Sequence, residues 1–248
     1  MNLKDKKILI TGASSGIGQA IAILCAQKGT NVLINYRKSI KGAEQTLKDV
    51  EKHSKGFVLQ ADLTSEEQII KMFANISDKV GTIDILVNNA GNAQTGDFFD
   101  NELWKDQFEN IFFSALHVFQ NFFKQNQKSS LRKIVNITSY YGNIGGGNTE
   151  YFAYSVAKAA LSSMTVALAK TDGKVLVNAI TPGYTWMPTW EGISEAGKKI
   201  CESRTMINRY VTVEEIAHAV IGVLENDAIT GQIITVDGGL SLQKLERK

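Results

Sequence analysis

Residues 7–18 read Lys7-Ile-Leu-Ile-Thr-Gly12-Ala-Ser-Ser-Gly16-Ile-Gly18, an apolar run that leads into three closely spaced glycines. The run predicts a buried β-strand, and the glycines after it predict a tight turn and the start of a helix. Gly12 permits the turn, Gly16 lets the backbone approach a pyrophosphate, and Gly18 lets the helix pack closely. Free N–H groups at the start of the helix would receive the phosphates, so the stretch predicts a dinucleotide site.

The same alternation of strand and helix continues along the chain. Strand-like runs are Val32–Tyr36, Phe57–Gln60, Ile83–Asn88, Ile134–Thr138, Val175–Ile180 and Gln232–Val236. Helical patterns lie near residues 16–28, 40–53, 65–79, 101–127, 152–170 and 213–225. Thr64 and Thr212 each begin a capping-box pattern. The alternation predicts one α/β domain over residues 1–248, with a parallel sheet of seven strands covered by helices on both faces.

Composition excludes several classes of protein. The formal net charge is +2 at pH 7, which does not suit a nucleic-acid or membrane-surface protein. Cys25 and Cys201 form no disulfide framework, so we expect a cytoplasmic protein. The three histidines lack the spacing of metal ligands, so we expect no metal site. No apolar segment is long enough to cross a bilayer.

Tyr154 and Lys158 stand four positions apart, so they share one face of a helix. An ammonium group near a phenol favours the phenolate, and the pattern therefore predicts a lowered pKa for Tyr154. Such a phenol suits proton transfer in a reductase or dehydrogenase. An amphipathic helix edge is the alternative for an isolated match, but the glycine-rich loop upstream favours the catalytic interpretation.

The end of the second strand, Asn35-Tyr36-Arg37, bears on the choice of nicotinamide cofactor. NAD-binding chains usually place an acidic residue there to hold the ribose hydroxyls. No carboxylate stands at this point, and Arg37 can pair with a 2′-phosphate instead. The sequence therefore favours NADPH over NADH, although dual use and a merely solvated arginine stay open.

With these residues in hand, the chain resembles the short-chain dehydrogenase/reductase family over essentially its whole length. The motifs that carry the resemblance are Thr11–Gly18, Asp62, Asn88-Asn-Ala-Gly91, Tyr154 with Lys158, Pro182-Gly183 and Val236-Asp-Gly-Gly239. The resemblance implies a Rossmann-like, doubly wound domain with strand order 3-2-1-4-5-6-7.

The resemblance also implies roles for particular residues. Tyr154 gives a proton to the substrate oxygen, Ser139 hydrogen-bonds that oxygen, and Lys158 lowers the pKa of Tyr154 and binds the nicotinamide ribose. Asn110 holds a water on the proton path to Lys158. Without the resemblance, Ser139 would be interpreted as a turn residue and Asn110 as a polar group inside a helix. The implied cofactor residues are Gly12, Ser14, Ser15, Gly16, Ile17, Gly18, Arg37, Asp62, Leu63, Asn88, Ala90, Gly91, Tyr154, Lys158, Pro182, Gly183 and Thr185.

The chain departs from the family pattern at the Ser139–Tyr154 spacing and at Met187, and one further segment breaks the alternation of strand and helix. Ser139 and Tyr154 are fifteen positions apart, which is longer than usual, and the glycine-rich residues 145–150 supply the extra length. Met187 stands where the family carries a threonine for the carboxamide, a role for which Thr185 could compensate. Residues 184–211 break the alternation, and we expect them to form a substrate wall or lid.

Within the family, the Ile34–Arg37 and Arg209–Ala217 segments resemble 3-oxoacyl-(acyl-carrier-protein) reductases of fatty acid biosynthesis. Such an enzyme requires basic surface near its pocket to meet an acidic carrier protein. The candidates are Lys124, Lys128, Arg132, Lys133, Lys170 and Lys174. Alternatively these side chains are only solvated charges.

Two other functions remain open on the sequence alone. A reductase of a free ketone, aldehyde or sugar would use the same scaffold, and Trp186 and Trp190 would suit a flat or apolar substrate. A non-catalytic sensor of NADPH belongs to another class, but it would have no need of Ser139, Tyr154 and Lys158 together. Family likeness further implies a homotetramer or homodimer formed by the helices near 101–127 and 152–170.

Overall fold

The computed structural model describes residues 1–125, 131–143, 147, 149–171, 173–187, 190 and 192–242. Its strands are β1 Lys7–Ile10, β2 Asn31–Tyr36, β3 Gly56–Gln60, β4 Ile85–Asn88, β5 Arg132–Ile137, β6 Val175–Pro182 and β7 Ile233–Val236. They form a seven-stranded sheet in the order β3-β2-β1-β4-β5-β6-β7, and every pairing is parallel. The expected α/β fold and strand order are therefore confirmed.

Helices cover both faces of the sheet. Their bounds are α1 Gly16–Gln27, α2 Ile40–Glu51, α3 Glu66–Val80, α4 Asn101–Phe108, α5 Ser114–Lys124, α6 Phe152–Leu168, α7 Glu195–Arg204 and α8 Val213–Glu225. Side chains of a strand alternate between faces, so Ile8 packs with α1, α2 and α8, whereas Leu9 packs with α3, α5 and α6. Because every strand pairing is parallel, the carboxyl ends of all the strands meet at one edge of the sheet.

Local details differ from the sequence predictions at three places. The single helix predicted near 101–127 is interrupted by a π-helical turn at Glu109–Phe113. Helix α7 lies inside residues 184–211, where the sequence predicted neither a strand nor a helix. The hydroxyl of Ser65, rather than that of Thr64, caps α3 by accepting from the N–H of Gln68. The capping box at Thr212 is confirmed, with both of its hydrogen bonds present.

Five of the six basic residues offered for carrier docking are described, and none of these five lies at the carboxyl edge of the sheet, so for them the prediction of a basic surface beside the pocket is wrong. Lys124 ends α5 and Arg132 begins β5, and both positions belong to the amino edge of the sheet, opposite the carboxyl ends. The guanidinium of Arg132 is buried 3.7 Å above the ring centroid of Phe122. Lys133 is buried and pairs with Asp227 at 2.7 Å. Lys170 and Lys174 flank the same edge, between α6 and β6, and Lys128 lies outside the described residues.

Among the described residues, no helix combines the length and apolar character that a membrane span needs.

Candidate active site

The glycine-rich turn opens α1 at the carboxyl edge of the sheet. Gly12 and Gly16 adopt φ values of 62° and 57°, a left-handed conformation that glycine adopts at little cost. Ser15 stands at the N-cap of α1 but makes no side-chain capping bond, whereas Ser39 caps α2. The first N–H groups of α1 are thus left without a side-chain cap from the described residues. This arrangement fits an anionic diphosphate at the positive end of the helix.

Asn89 holds this turn in place, a role that the sequence analysis missed. Its side-chain amide donates to the carbonyl oxygens of Thr11 and Gly12 at 2.9 and 3.1 Å. In return, the Thr11 hydroxyl accepts from the N–H groups of Asn89 and Ala90. A side chain at Gly18 would begin 2.5 Å from this amide, so only glycine allows the helix to lie so close.

A cavity of about 360 Å³ extends from the glycine-rich turn toward the ends of β2 and β3. The Arg37 guanidinium lies 3.5 Å from Asn110 Oδ1 and 3.9 Å from Asp62 Oδ2. The lining includes the predicted residues Gly12, Ser14, Ser15, Arg37, Asp62, Leu63, Ala90, Gly91 and Asn110. It also includes Asn35, Lys38, Ser39, Ala61, Thr64, Asn89, Asn92 and Ser114, which were not predicted.

Two of the predicted cofactor residues have their polar groups engaged within the protein. Asn88 is buried, and its amide donates to Asn136 Oδ1 inside the sheet; Asn89, the next residue, reaches the cavity in its place. Thr185 is buried, and its hydroxyl donates to the carbonyl of Gly183 at 3.1 Å. Its compensation for the missing threonine stays a prediction.

Met187, which replaces that threonine, lies against the glycine-rich turn. Its sulfur is 3.3 Å from the point where a side chain at Gly16 would begin. Nearby, Gly183 packs so tightly on Asp237 that an added Cβ would lie 2.7 Å from the Asp237 Cα. The Pro182-Gly183 turn is thereby fixed against the end of β7, and it directs the chain across the mouth of the site.

The three residues expected to perform chemistry come together beside the end of β5. Ser139 follows β5, and its hydroxyl lies close enough to the phenol of Tyr154 on α6 to lower the pKa of that phenol. The Lys158 ammonium lies 5.8 Å from the ring centroid of Tyr154, on the same side of the helix. It donates to the carbonyl of Ile137 at 2.7 Å. The helical spacing therefore does place the amine beneath the phenol.

The expected direction of the Tyr154 pKa is wrong in this structure. Burial raises the pKa of Tyr154, while the Ser139 hydroxyl acts in the opposite direction and the nearby Tyr151 adds to the increase. Burial also lowers the pKa of Lys158 to about 8. Desolvation of the phenol thus outweighs the effect of Ser139, and Tyr154 is held in its protonated form.

Asn110 lies in the π-helical turn, a feature often found at functional sites. Its backbone carbonyl accepts from the Ser114 hydroxyl, and its side-chain amide donates to the carbonyl of Asp106. An added Cβ at Gly91 would lie 3.9 Å from both the Asn110 carbonyl and Lys158 Nζ. Both groups therefore lie close to Gly91, which carries no side chain between them.

Tyrosine rings surround the catalytic phenol. Tyr141 stacks on Tyr151 with centroids 5.5 Å apart, and it meets the rings of Tyr154 and Tyr184 edge-on at 6.4 and 6.5 Å. Further out, the tryptophans of the predicted lid pack against Tyr210: Trp186 at 5.3 Å and Trp190 at 5.6 Å. We expect the substrate cleft on the side of Tyr154 where these rings lie, and we define Tyr141, Tyr151 and Tyr184 as its aromatic wall.

Comparisons with known proteins agree with this geometry. Residues 12–241 match a family model described as enoyl-(acyl carrier protein) reductase. The 3-oxoacyl-(acyl-carrier-protein) reductase FabG of Aquifex aeolicus is 33% identical, over 97% of this chain and 99% of its own length.

Solved structures share the same fold. The proposed gluconate dehydrogenase of Agrobacterium tumefaciens superposes with a TM-score of 0.90 at 28% identity, covering 98% of both chains. A tryptophan variant of actinorhodin polyketide ketoreductase, solved with NADPH, gives 0.86 at 29% identity, covering 96% of this chain and 98% of its own.

The chain belongs to the short-chain dehydrogenase/reductase family. It is an oxidoreductase of the kind that binds a nicotinamide cofactor, and the loop, cavity and Ser139–Tyr154–Lys158 cluster are the parts that fit such a cofactor and its reaction.

Proposed function

We propose that the protein reduces a carbonyl group to an alcohol with NADPH. The observation that carries the proposal is the cluster itself: the buried Lys158 amine lies 5.8 Å from the ring of Tyr154, and Ser139 lies beside the phenol. A non-catalytic sensor would have no need of this arrangement. Bound nicotinamide supplies the hydride.

Each residue of the cluster has a separate task. Tyr154 donates its proton to the carbonyl oxygen as negative charge develops there, because its raised pKa keeps the proton available at neutral pH. Ser139 hydrogen-bonds the same oxygen. Lys158, whose pKa is about 8, returns a proton to the phenol and is itself reprotonated from water near the Asn110 carbonyl.

The preference for NADPH rests on the charge around the ribose end of the cavity. Arg37 and Lys38 both line it, and Ser39 adds a hydroxyl. The carboxylate in that lining belongs to Asp62, and it accepts a hydrogen bond from the Thr64 hydroxyl at 2.8 Å. Two cations and one carboxylate favour a 2′-phosphate over a bare ribose hydroxyl.

Arg37→Ala should lower the ratio of kcat/KM for NADPH to that for NADH by roughly 10- to 100-fold, because a charge-assisted hydrogen bond to phosphate is lost. Steady-state kinetics with both cofactors measure the ratio. Lys41→Ala is the matched control, since Lys41 is exposed on the first turn of α2 and is not among the residues that line the cavity. An unchanged ratio in the Arg37 variant would exclude Arg37 from cofactor selection.

Two substrate classes compete. Relatives named 3-oxoacyl-(acyl-carrier-protein) reductase support a thioester on a carrier protein. A free carbonyl compound is supported by the aromatic wall, and by the position of the basic residues at the edge of the sheet opposite the site. We favour the free compound, because a carrier that delivers its thioester to Tyr154 must dock on the side where the cleft opens.

A panel of substrates tests the proposal. Consumption of NADPH, followed by its absorbance, should be faster with free aryl ketones than with acetoacetyl-coenzyme A or simple sugars. A preference of two orders of magnitude for the thioester would instead assign the carrier-linked substrate. No consumption with any carbonyl compound would end the proposal of a reductase.

Three expectations remain as parts of the proposal. Residues 184–211 form the substrate lid of a single domain spanning 1–248. The protein works in the cytoplasm. Two or four copies associate through the helices near 101–127 and 152–170.

A further inference from the structure

A cation stands at the outer end of the aromatic wall. Arg204 lies in the last turn of α7, and its guanidinium donates to the hydroxyl of Tyr184 at 3.3 Å. Its positive charge also acts on the phenols of Tyr140 and Tyr141. Tyr141 in turn meets the Tyr154 ring edge-on. Arg204 is therefore separated from the catalytic tyrosine by the width of the wall.

No carboxylate neutralises Arg204 in the ion pairs found among the described residues. The other arginine of this segment, Arg209, forms a two-pronged pair with Glu215. Asp237, whose charge acts on the phenol of Tyr140, accepts from the backbone N–H groups of Gly239 and Ser241. The hydroxyl of Tyr184 is a neutral acceptor, so with respect to the described residues the guanidinium keeps its full charge and most of its donors for another group.

We propose that Arg204 and Tyr184 form an anion subsite at the rim of the cleft, and that the substrate is an oxo acid: a flat, apolar carbonyl compound with a carboxylate. This deepens the proposed function and rests on it for the reaction. A single guanidinium matches the charge and the fork geometry of one carboxylate. The tyrosines of the wall match a flat apolar body between the carboxylate and the reacting carbonyl. The carboxylate would displace none of the groups that hold Tyr154 and Ser139.

The test compares acids with their esters. The substrates are benzoylformate, 3-oxo-3-phenylpropanoate, 4-oxo-4-phenylbutanoate and 5-oxo-5-phenylpentanoate, each beside its methyl ester, because the spacing between carboxylate and carbonyl is the unknown. The wild type should favour at least one acid over its ester in kcat/KM. In Arg204→Gln that acid-to-ester ratio should fall roughly 10- to 100-fold, mainly through KM, since a hydrogen bond to a charged group is lost.

Lys199→Gln is the matched control, because it removes one positive charge from an exposed position of the same helix. Its acid-to-ester ratio should stay as in the wild type. Reduction of esters without preference for any acid, or a preference that survives in Arg204→Gln, would overturn the subsite while leaving the reductase intact.

Binding of 4-phenylbutanoate, which has no carbonyl to reduce, separates the subsite from the reaction. Titration calorimetry should show affinity for the wild type that weakens by a similar factor in Arg204→Gln and not in Lys199→Gln. If the enzyme reduces nothing but this pattern is found, the reductase fails and the subsite stands. If 4-phenylbutanoate binds equally to all three proteins, the subsite fails.

Discussion

Tyr154→Phe should lower kcat/KM for NADPH-dependent carbonyl reduction by about 10²- to 10⁴-fold, the usual contribution of a positioned proton donor. Phenylalanine keeps the ring that packs against Tyr141 and Tyr151. It removes the phenol O–H group, which lies beside Ser139. The affinity for NADPH should therefore change far less than the rate. Single-turnover kinetics and fluorescence titration with NADPH measure the two quantities separately.

Tyr151→Phe provides the comparison, because it deletes the same atom from the neighbouring ring. Tyr151 stacks on Tyr141, and we expect a loss of less than about tenfold since no proton-transfer step is removed. Equal losses in the two variants would show that the wall, and not the proton donor, accounts for the effect. A Tyr154→Phe enzyme with wild-type rates would refute the assignment outright.

Gly18→Ala should both destabilise the protein and weaken NADPH binding. The new Cβ would lie 2.5 Å from Asn89 Nδ2 and 2.6 Å from the Gly12 carbonyl oxygen. The helix and the glycine-rich turn must separate, and the hydrogen bonds of Asn89 to Thr11 and Gly12 are disturbed. Overpacking of this kind costs about 1–3 kcal/mol of unfolding free energy. In a protein of this size it lowers Tm by roughly 3–10 °C.

Gly222→Ala is the control: it makes the same substitution at a position where the added Cβ contacts no other atom. Gly222 lies exposed inside α8, and an added Cβ would meet no atom within 4 Å. Alanine is the better helix former, so the unfolding free energy should rise by about 0.5–1 kcal/mol. Thermal unfolding and NADPH titration of both variants form the experiment. A Gly18→Ala protein that melted at the wild-type temperature and bound NADPH normally would contradict the close packing described for this turn.

The sequence was informative where function requires a local pattern. The apolar run with its glycines, and the pair Tyr154 and Lys158, place their side chains by the geometry of one strand, one turn and one helix. Helix α7 escaped prediction because none of its residues is buried, so it has no apolar stripe to detect. The sequence could not tell which of Asn88 and Asn89 reaches the cavity. Which of two adjacent side chains faces the sheet depends on how the strand ends.

Other features depend on the assembled fold. The pKa of Tyr154 is set by how much of the phenol is buried, and helical spacing carries no information about burial. The basic residues looked suitable for docking because they are positively charged. Their positions relative to the cleft depend on the topology of the sheet, which the residue types alone do not reveal. Arg204 is distant in sequence from Tyr154 and approaches it through Tyr184, so no motif could have identified it.

The contact between Met187 and Gly16 has a kinetic consequence. The Met187 thioether lies 3.3 Å from the Cβ position of Gly16, where the diphosphate is expected to bind, so we expect the methionine side chain to move when a dinucleotide binds. Met187 is joined directly to Trp186, which packs on Tyr210, so this movement would also shift the tryptophan. We therefore expect ordered binding, in which the coenzyme binds before the carbonyl substrate.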